Sequence, residues 1–215
     1  MEIIDYRMPY SCRSMGNITS KKQELEKRIR KEHRQIKDCN LYNWVNNPKK
    51  YKKDFIEVYS RRCAYCGVSM DIVTIEVFQI DHYIPKASKR FSSRQENKAG
   101  QIDNLILSCQ YCNRQKSNFE FENEETVKLL HPDSGVIGSV FTRGDSYTIA
   151  ISDRYIKDKE IERFYTKIDL RNEIHRIDYL LMNIMVLRKT SGISPEIYKS
   201  LQEIFEIIKE KRSWS

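Results

Sequence analysis

The chain has 215 residues, 40% hydrophobic and 32% charged, with 7 glycines and 5 prolines, a composition that excludes collagenous, low-complexity and disordered classes. It lacks the run of roughly 18 apolar residues that a membrane helix needs, and MEIIDYRMPYSCRSMG has no secretory texture, so a cytoplasmic protein without a membrane partner is expected. Of its net charge of +8, all sits in residues 1–62, which hold 16 Lys and Arg against 8 Asp and Glu. Such a segment suits a phosphate-backbone partner, because Lys and Arg release condensed counterions; a helix face salt-bridged to itself explains it equally well.

In chain order, Ser20 and Gln23 have capping-box spacing and open a long run of helix formers. Asn46-Asn47-Pro48 breaks that run and starts a second helix from Lys49 to Arg62, with Tyr51, Phe55, Val58 and Tyr59 on one side. The β-rich stretch from Ile72 to Ile80 predicts a strand ending at Asp81-His82, and the polar residues from Lys86 to Gln101 a loop. Asn104 to Leu107 reads as a short strand that feeds CQYC and a helix. Val136–Phe141 and Tyr147–Ile151 flank Arg143-Gly144-Asp145-Ser146 as a hairpin. Residues 157–190 are helical in spacing, and Ser194-Pro195-Glu196 opens a last amphipathic helix to about Lys211. The expected architecture is α+β: a basic helical arm at 1–60, a core at 61–120, and a hairpin with a helical extension at 121–215.

Six cysteines without an export signal argue against disulfides. Cys63/Cys66 and Cys109/Cys112 form two Cys-x-x-Cys pairs, and two such knuckles supply a tetrahedral thiolate shell with metal–sulfur bonds of about 2.3 Å. A closed shell leaves no place for water, so the implied Zn²⁺ is structural. The competing reading is four buried or redox-active thiols. Cys12 and Cys39 read as ordinary free cysteines.

Between the knuckles lie residues with hydrolytic potential. Asp81-His82 ends a strand, Asn104 follows in IDNL, and Asn113 directly follows the last knuckle cysteine. Phosphodiester hydrolysis needs an activated nucleophile and a cation for the growing negative charge. Neutral His82 can take a proton from water. Asp81 and Asn113 offer oxygen atoms of the kind Mg²⁺ or Mn²⁺ takes. Asn104 is expected to orient the imidazole, and Arg114 and Lys116 to reach phosphate oxygens as nucleic-acid contacts. Taken singly, each has a bland alternative: Asp81-His82 as a polar turn, Asn104 as a turn residue, Asn113 as a helix cap. His33, His131 and His175 read as surface or packing residues.

In order and spacing, CAYC at 63–66, DHYIP at 81–85, IDNL at 102–105 and CQYCNRQK at 109–116 resemble the HNH endonucleases of the ββα-metal superfamily. The resemblance covers roughly residues 61–118. It implies a ββα-metal core, His82 as general base, Asp81 and Asn113 as ligands of a catalytic Mg²⁺ or Mn²⁺, Asn104 holding His82, and DNA as substrate. The basic lead, LLHPDSG and the helical tail are similar to the HNH partners of Septu-like phage-defence systems, which implies an ATPase partner. Two rivals stay open: a catalytically silent zinc module that binds nucleic acid or protein, and an RNA-cleaving HNH nuclease.

Overall fold

Asn17, rather than Ser20, caps the first helix: its Oδ1 accepts from Ser20 N at 2.9 Å, and α1 runs Ile18–Glu32. The computed structural model describes residues 5–12, 14–34, 36, 40–91 and 96–213, so Cys39 lies outside the described residues. A single helical turn, α2 (Tyr42–Val45), follows where the sequence shows no periodicity. The second expected helix is shorter than Lys49–Arg62. It is α3 (Lys52–Val58), and it ends because Ser60 and Arg61 adopt left-handed φ values of 51° and 60°.

That turn delivers the chain into the first knuckle. Cys63 N donates to Val68 O and Gly67 N to Cys63 O, both at 2.9 Å, while Ala64 N reaches Leu107 O at 2.8 Å. Gly67 has a φ of 83°, and a Cβ there would sit 2.1 Å from the Arg7 carbonyl oxygen, so only glycine fits beneath the N-terminal segment. The expected strand from Ile72 to Ile80 is mostly absent. A 3-10 turn occupies Ile75–Val77, and β1 is Phe78–His82. A strand extends only as far as its partner, and β2 (Leu105–Cys109) supplies five residues.

The two strands pair antiparallel, with Phe78 opposite Cys109 and His82 opposite Leu105. Every residue of β2 is buried, which accounts for its unbroken apolar run. Cys109 then caps α5 (Gln110–Lys116), completing a ββα unit. Within the expected loop, α4 covers Glu96–Ala99. Beyond the unit come α6 (Glu124–Leu129), α7 (Ile137–Val140) and the antiparallel pair β3 (Phe141–Arg143) and β4 (Ile149–Ile151). The hairpin thus exists, but Val136–Phe141 is a helical turn leading into a strand. Helices α8 (Lys159–Lys167), α9 (Glu173–Arg188) and α10 (Pro195–Ser213) close the described chain, with left-handed Asp169 (φ 55°) in the bend between α8 and α9. The class is α+β. Among the described residues, no helix is long and apolar enough to cross a membrane.

One apolar cluster runs from Tyr6 to Leu170 and takes in Ile18, Leu25 and Ile29 of α1 with Phe55 of α3. The basic N-terminal segment therefore lies against the body of the protein. Lys22, on the buried face of α1, is fully enclosed. Its Nζ meets Asp133 Oδ2 at 2.5 Å and Asp103 O at 3.3 Å, and Tyr59 OH donates to Asp133 Oδ1 at 2.8 Å. Burial pushes the Lys22 pKa down, and Asp133 opposes that shift.

A buried charge without its partner is strongly destabilising, whereas an apolar replacement of both partners is often neutral. Asp133→Ala is expected to lose about 3 kcal/mol or more in urea unfolding. The double substitution Lys22→Met with Asp133→Leu should recover much of that loss. Equal losses in the single and double variants would refute the ion-pair account.

Candidate active site and metal centre

The four knuckle cysteines converge. Cys63, Cys66, Cys109 and Cys112 are all buried, their Sγ atoms lie within 4.8 Å of one another, and Cys66 and Cys109 are 3.9 Å apart. A tetrahedron of ~2.3 Å metal–sulfur bonds has sulfur–sulfur edges of roughly 3.8 Å, so the cluster has the dimensions of a thiolate cage for zinc. Cys12 is exposed and stands apart from it.

Asp81 and His82 occupy the end of β1, and α5 packs across that strand. Alternation places Gln79 and Asp81 on one face. Asn113 and Lys116, about one turn apart on α5, meet them. Asn113 Nδ2 donates to Gln79 Oε1 at 2.5 Å, and Lys116 Nζ lies 3.1 Å from Asp81 Oδ2. Tyr65 OH also donates to Asp81 Oδ2, at 3.0 Å. Desolvation raises the Asp81 pKa, with Lys116 and Tyr65 opposing it. Asp81 and the Asn113 amide are hard oxygen donors, and two such ligands suit an ion that keeps most of its shell for water and phosphate.

Lys116 departs from its expected role. It is fully buried, its Nζ also donates to His82 O at 3.0 Å, and it works as an internal counter-ion rather than a surface contact for phosphate. Arg114, one turn of the same helix, is exposed.

Asn104 departs as well. Its Oδ1 accepts from Ile84 N at 2.8 Å, and its Nδ2 donates to Ile84 O at 2.9 Å and Ala99 O at 2.8 Å. The amide is spent on backbone and does not bond the imidazole. It secures the turn after His82, where Tyr83 N also donates to Asn104 O at 2.8 Å. The ring that touches His82 belongs to Tyr42 of α2, with centroids 4.7 Å apart and planes tilted by 32°. Lys86 Nζ stands 4.5 Å from the Tyr42 centroid. His82 Nε2 is buried without a hydrogen-bond partner. Burial, with Lys86 and Lys116 nearby, pushes the His82 pKa down to about 4. The imidazole is therefore neutral at neutral pH.

The remaining histidines have other surroundings. His131 Nδ1 accepts from Asp133 N at 3.2 Å, and its other ring nitrogen lies 3.1 Å from Asp103 O. His175 is buried edge-on against Tyr111, and His33 stacks on Trp44 with centroids 4.2 Å apart. Sequence reasoning missed Tyr42 and Lys86. Lys86 had a signal, four residues beyond His82; Tyr42 had none.

Zinc at the knuckle predicts one ion per chain by elemental analysis, and Cys112→Ser is expected to lose it together with cooperative unfolding. Unchanged metal content in that variant would dismiss the cage. For the cations, binding of DNA in EDTA across a salt series separates the roles. Arg114→Ala should lower the slope of log affinity against log salt by about one. Lys116→Met should leave the slope alone and cost about 3 kcal/mol of stability instead. A reduced slope in Lys116→Met would return that lysine to the phosphate-binding surface.

Comparison with known proteins agrees with this geometry. The family model described as HNH endonuclease matches residues 63–119. Over 99 residues the chain is 28% identical to the CRISPR-associated endonuclease Cas9 of Actinomyces naeslundii, a match that takes in 46% of this chain and 8% of that protein. The chain thus spans a small part of the relative it matches. No solved structure matched. The matched interval begins at the first knuckle cysteine and contains β1, β2 and α5 whole, so residues 63–119 constitute an HNH endonuclease domain.

Proposed function

We propose that the chain is a divalent-metal-dependent endonuclease that hydrolyses phosphodiester bonds in DNA. The observation that supports this most directly is His82: a neutral imidazole with an unpartnered nitrogen, next to Asp81 at a strand end and beside the helix that carries Asn113. A silent zinc module gives no reason for Asp81, His82, Asn104 and Asn113 to occur in this order between the cysteine pairs. DNA rather than RNA follows from the HNH resemblance.

In this reading Asp81 and Asn113 would hold one Mg²⁺ or Mn²⁺, and that ion supplies charge stabilisation at the phosphate and the leaving oxygen. His82 accepts the proton of the attacking water. Lys116 holds the Asp81 carboxylate in place from behind through Oδ2, and Tyr65 fixes the same oxygen. Asn104 keeps the backbone on either side of the site from relaxing. Arg114, on the exposed side of α5, contacts phosphate flanking the cleaved bond.

Supercoiled plasmid tests the reading. Wild type should nick it with Mg²⁺ and not with EDTA, and His82→Ala with intact zinc should be slower by about a hundredfold or more. Equal rates for the two proteins would remove His82 as the base. No metal-dependent cutting of DNA, with cutting of RNA, would transfer the reading to an RNA nuclease.

A further inference from the structure

A general base works only if its ring is held, and none of the side chains assigned to the core of the site holds this one. Asn104 bonds only backbone, and Lys116 bonds the His82 carbonyl rather than its ring. The ring contact comes from Tyr42, which lies 40 residues upstream and outside the matched interval.

Tyr42 is itself firmly placed. Leu41 and Val45, on either side of it, are fully buried. Leu41 N donates to Gly100 O at 2.8 Å, and Tyr42 N donates to Asn40 Oδ1 at 3.1 Å. A Cβ at Gly100 would lie 2.1 Å from Asn40 Oδ1, so a larger residue would displace the side chain that accepts from Tyr42 N. Ala99, next to Gly100, gives its carbonyl to Asn104 Nδ2. The Asn104 amide therefore ties down two segments at once, Ile84 just after His82 and the 99–100 turn that carries α2.

We infer that Tyr42 is the positioning residue for His82, its ring packed at a tilt against the imidazole, and that Asn104 acts on His82 through Tyr42 as well as through Ile84. This rests on the nuclease reading above. The ring contact limits rotation of the imidazole about its side-chain bonds, and small errors in the placing of a catalytic group lower the rate steeply. The contact belongs to the aromatic ring and not to the hydroxyl, whose partner is Asn46 Nδ2 at 3.4 Å. Phenylalanine should therefore serve in its place.

The experiment compares full-length wild type with Tyr42→Phe, Tyr42→Leu and Tyr42→Met, each checked for zinc content and thermal midpoint. Single-hit plasmid kinetics give kcat and KM, and NMR of ring-labelled histidine gives the His82 C–H shifts. Tyr42→Phe should keep both the wild-type kcat and the ring-current displacement of the His82 signals. Tyr42→Leu and Tyr42→Met should lose that displacement and about tenfold or more in kcat, with little change in KM. Leucine or methionine at 42 with wild-type kcat would overturn the proposal, and so would failure of phenylalanine to rescue. Should one aliphatic variant not fold, the other carries the comparison. If wild type cuts no nucleic acid, the functional reading falls separately. The NMR signal then decides the contact: a His82 shift indifferent to residue 42 would sink it.

Discussion

The cluster of four thiols joins two chain segments more than forty residues apart and sets the geometry of everything between them. Cys109 is at once the last residue of β2, the cap of α5 and a member of the cluster. Its position fixes where the strand ends and where the helix starts, and with them the line on which Asn113 and Lys116 cross β1. A register shift of one residue in β1 would turn Asp81 away from Lys116 and Tyr65 and bring Ile80 to that place. The thiol cluster and the strand pairing are thus one constraint expressed twice.

Charge is distributed less simply than the net value suggests. Two of the cations behind the N-terminal excess are internal. Arg7 is buried on Asp5 and also donates to Ala64 O and Pro132 O, and Lys22 is paired with Asp133. These groups hold the fold and offer nothing to a phosphate. Another, Lys50, is exposed and lies 4.4 Å from the Trp44 centroid, and outside that segment Lys86 stands over Tyr42 in the same way. A cation–π contact restrains an ammonium without neutralising it.

The convergence of the four cysteines was legible in the sequence because ligand spacing is short-range and chemically specific. Asp81, His82 and Asn113 stand out by their order along the chain, and on the β1–α5 seam Lys116 meets Asp81 while Asn113 meets Gln79. Lys116 was misread because helical position predicts a neighbourhood and not a direction. Its long stem turns inward to a carboxylate that desolvation would otherwise leave unpaired. Asn104 was misread for a related reason: an amide that bonds backbone leaves no mark on the side-chain pattern. Tyr42 was invisible, since a four-residue helix has no period to detect. The strand expected from Ile72 failed because β-branched residues favour extended backbone only where a partner strand exists.

The contact of Arg7 with the first knuckle bears on the order in which the molecule can be assembled. Its backbone lies over Gly67, and its guanidinium reaches carbonyls 57 and 125 positions further along the chain. During synthesis the cysteine pairs emerge, and can meet metal, before Pro132 leaves the ribosome. The segment at Arg7 acquires its full set of partners only afterwards. Contacts of such sequence separation slow folding, because distant parts of the chain must meet before either is rewarded. The segment at Arg7, made before the knuckles, is therefore among the last to be locked, and until then the thiol cluster stands open on that side.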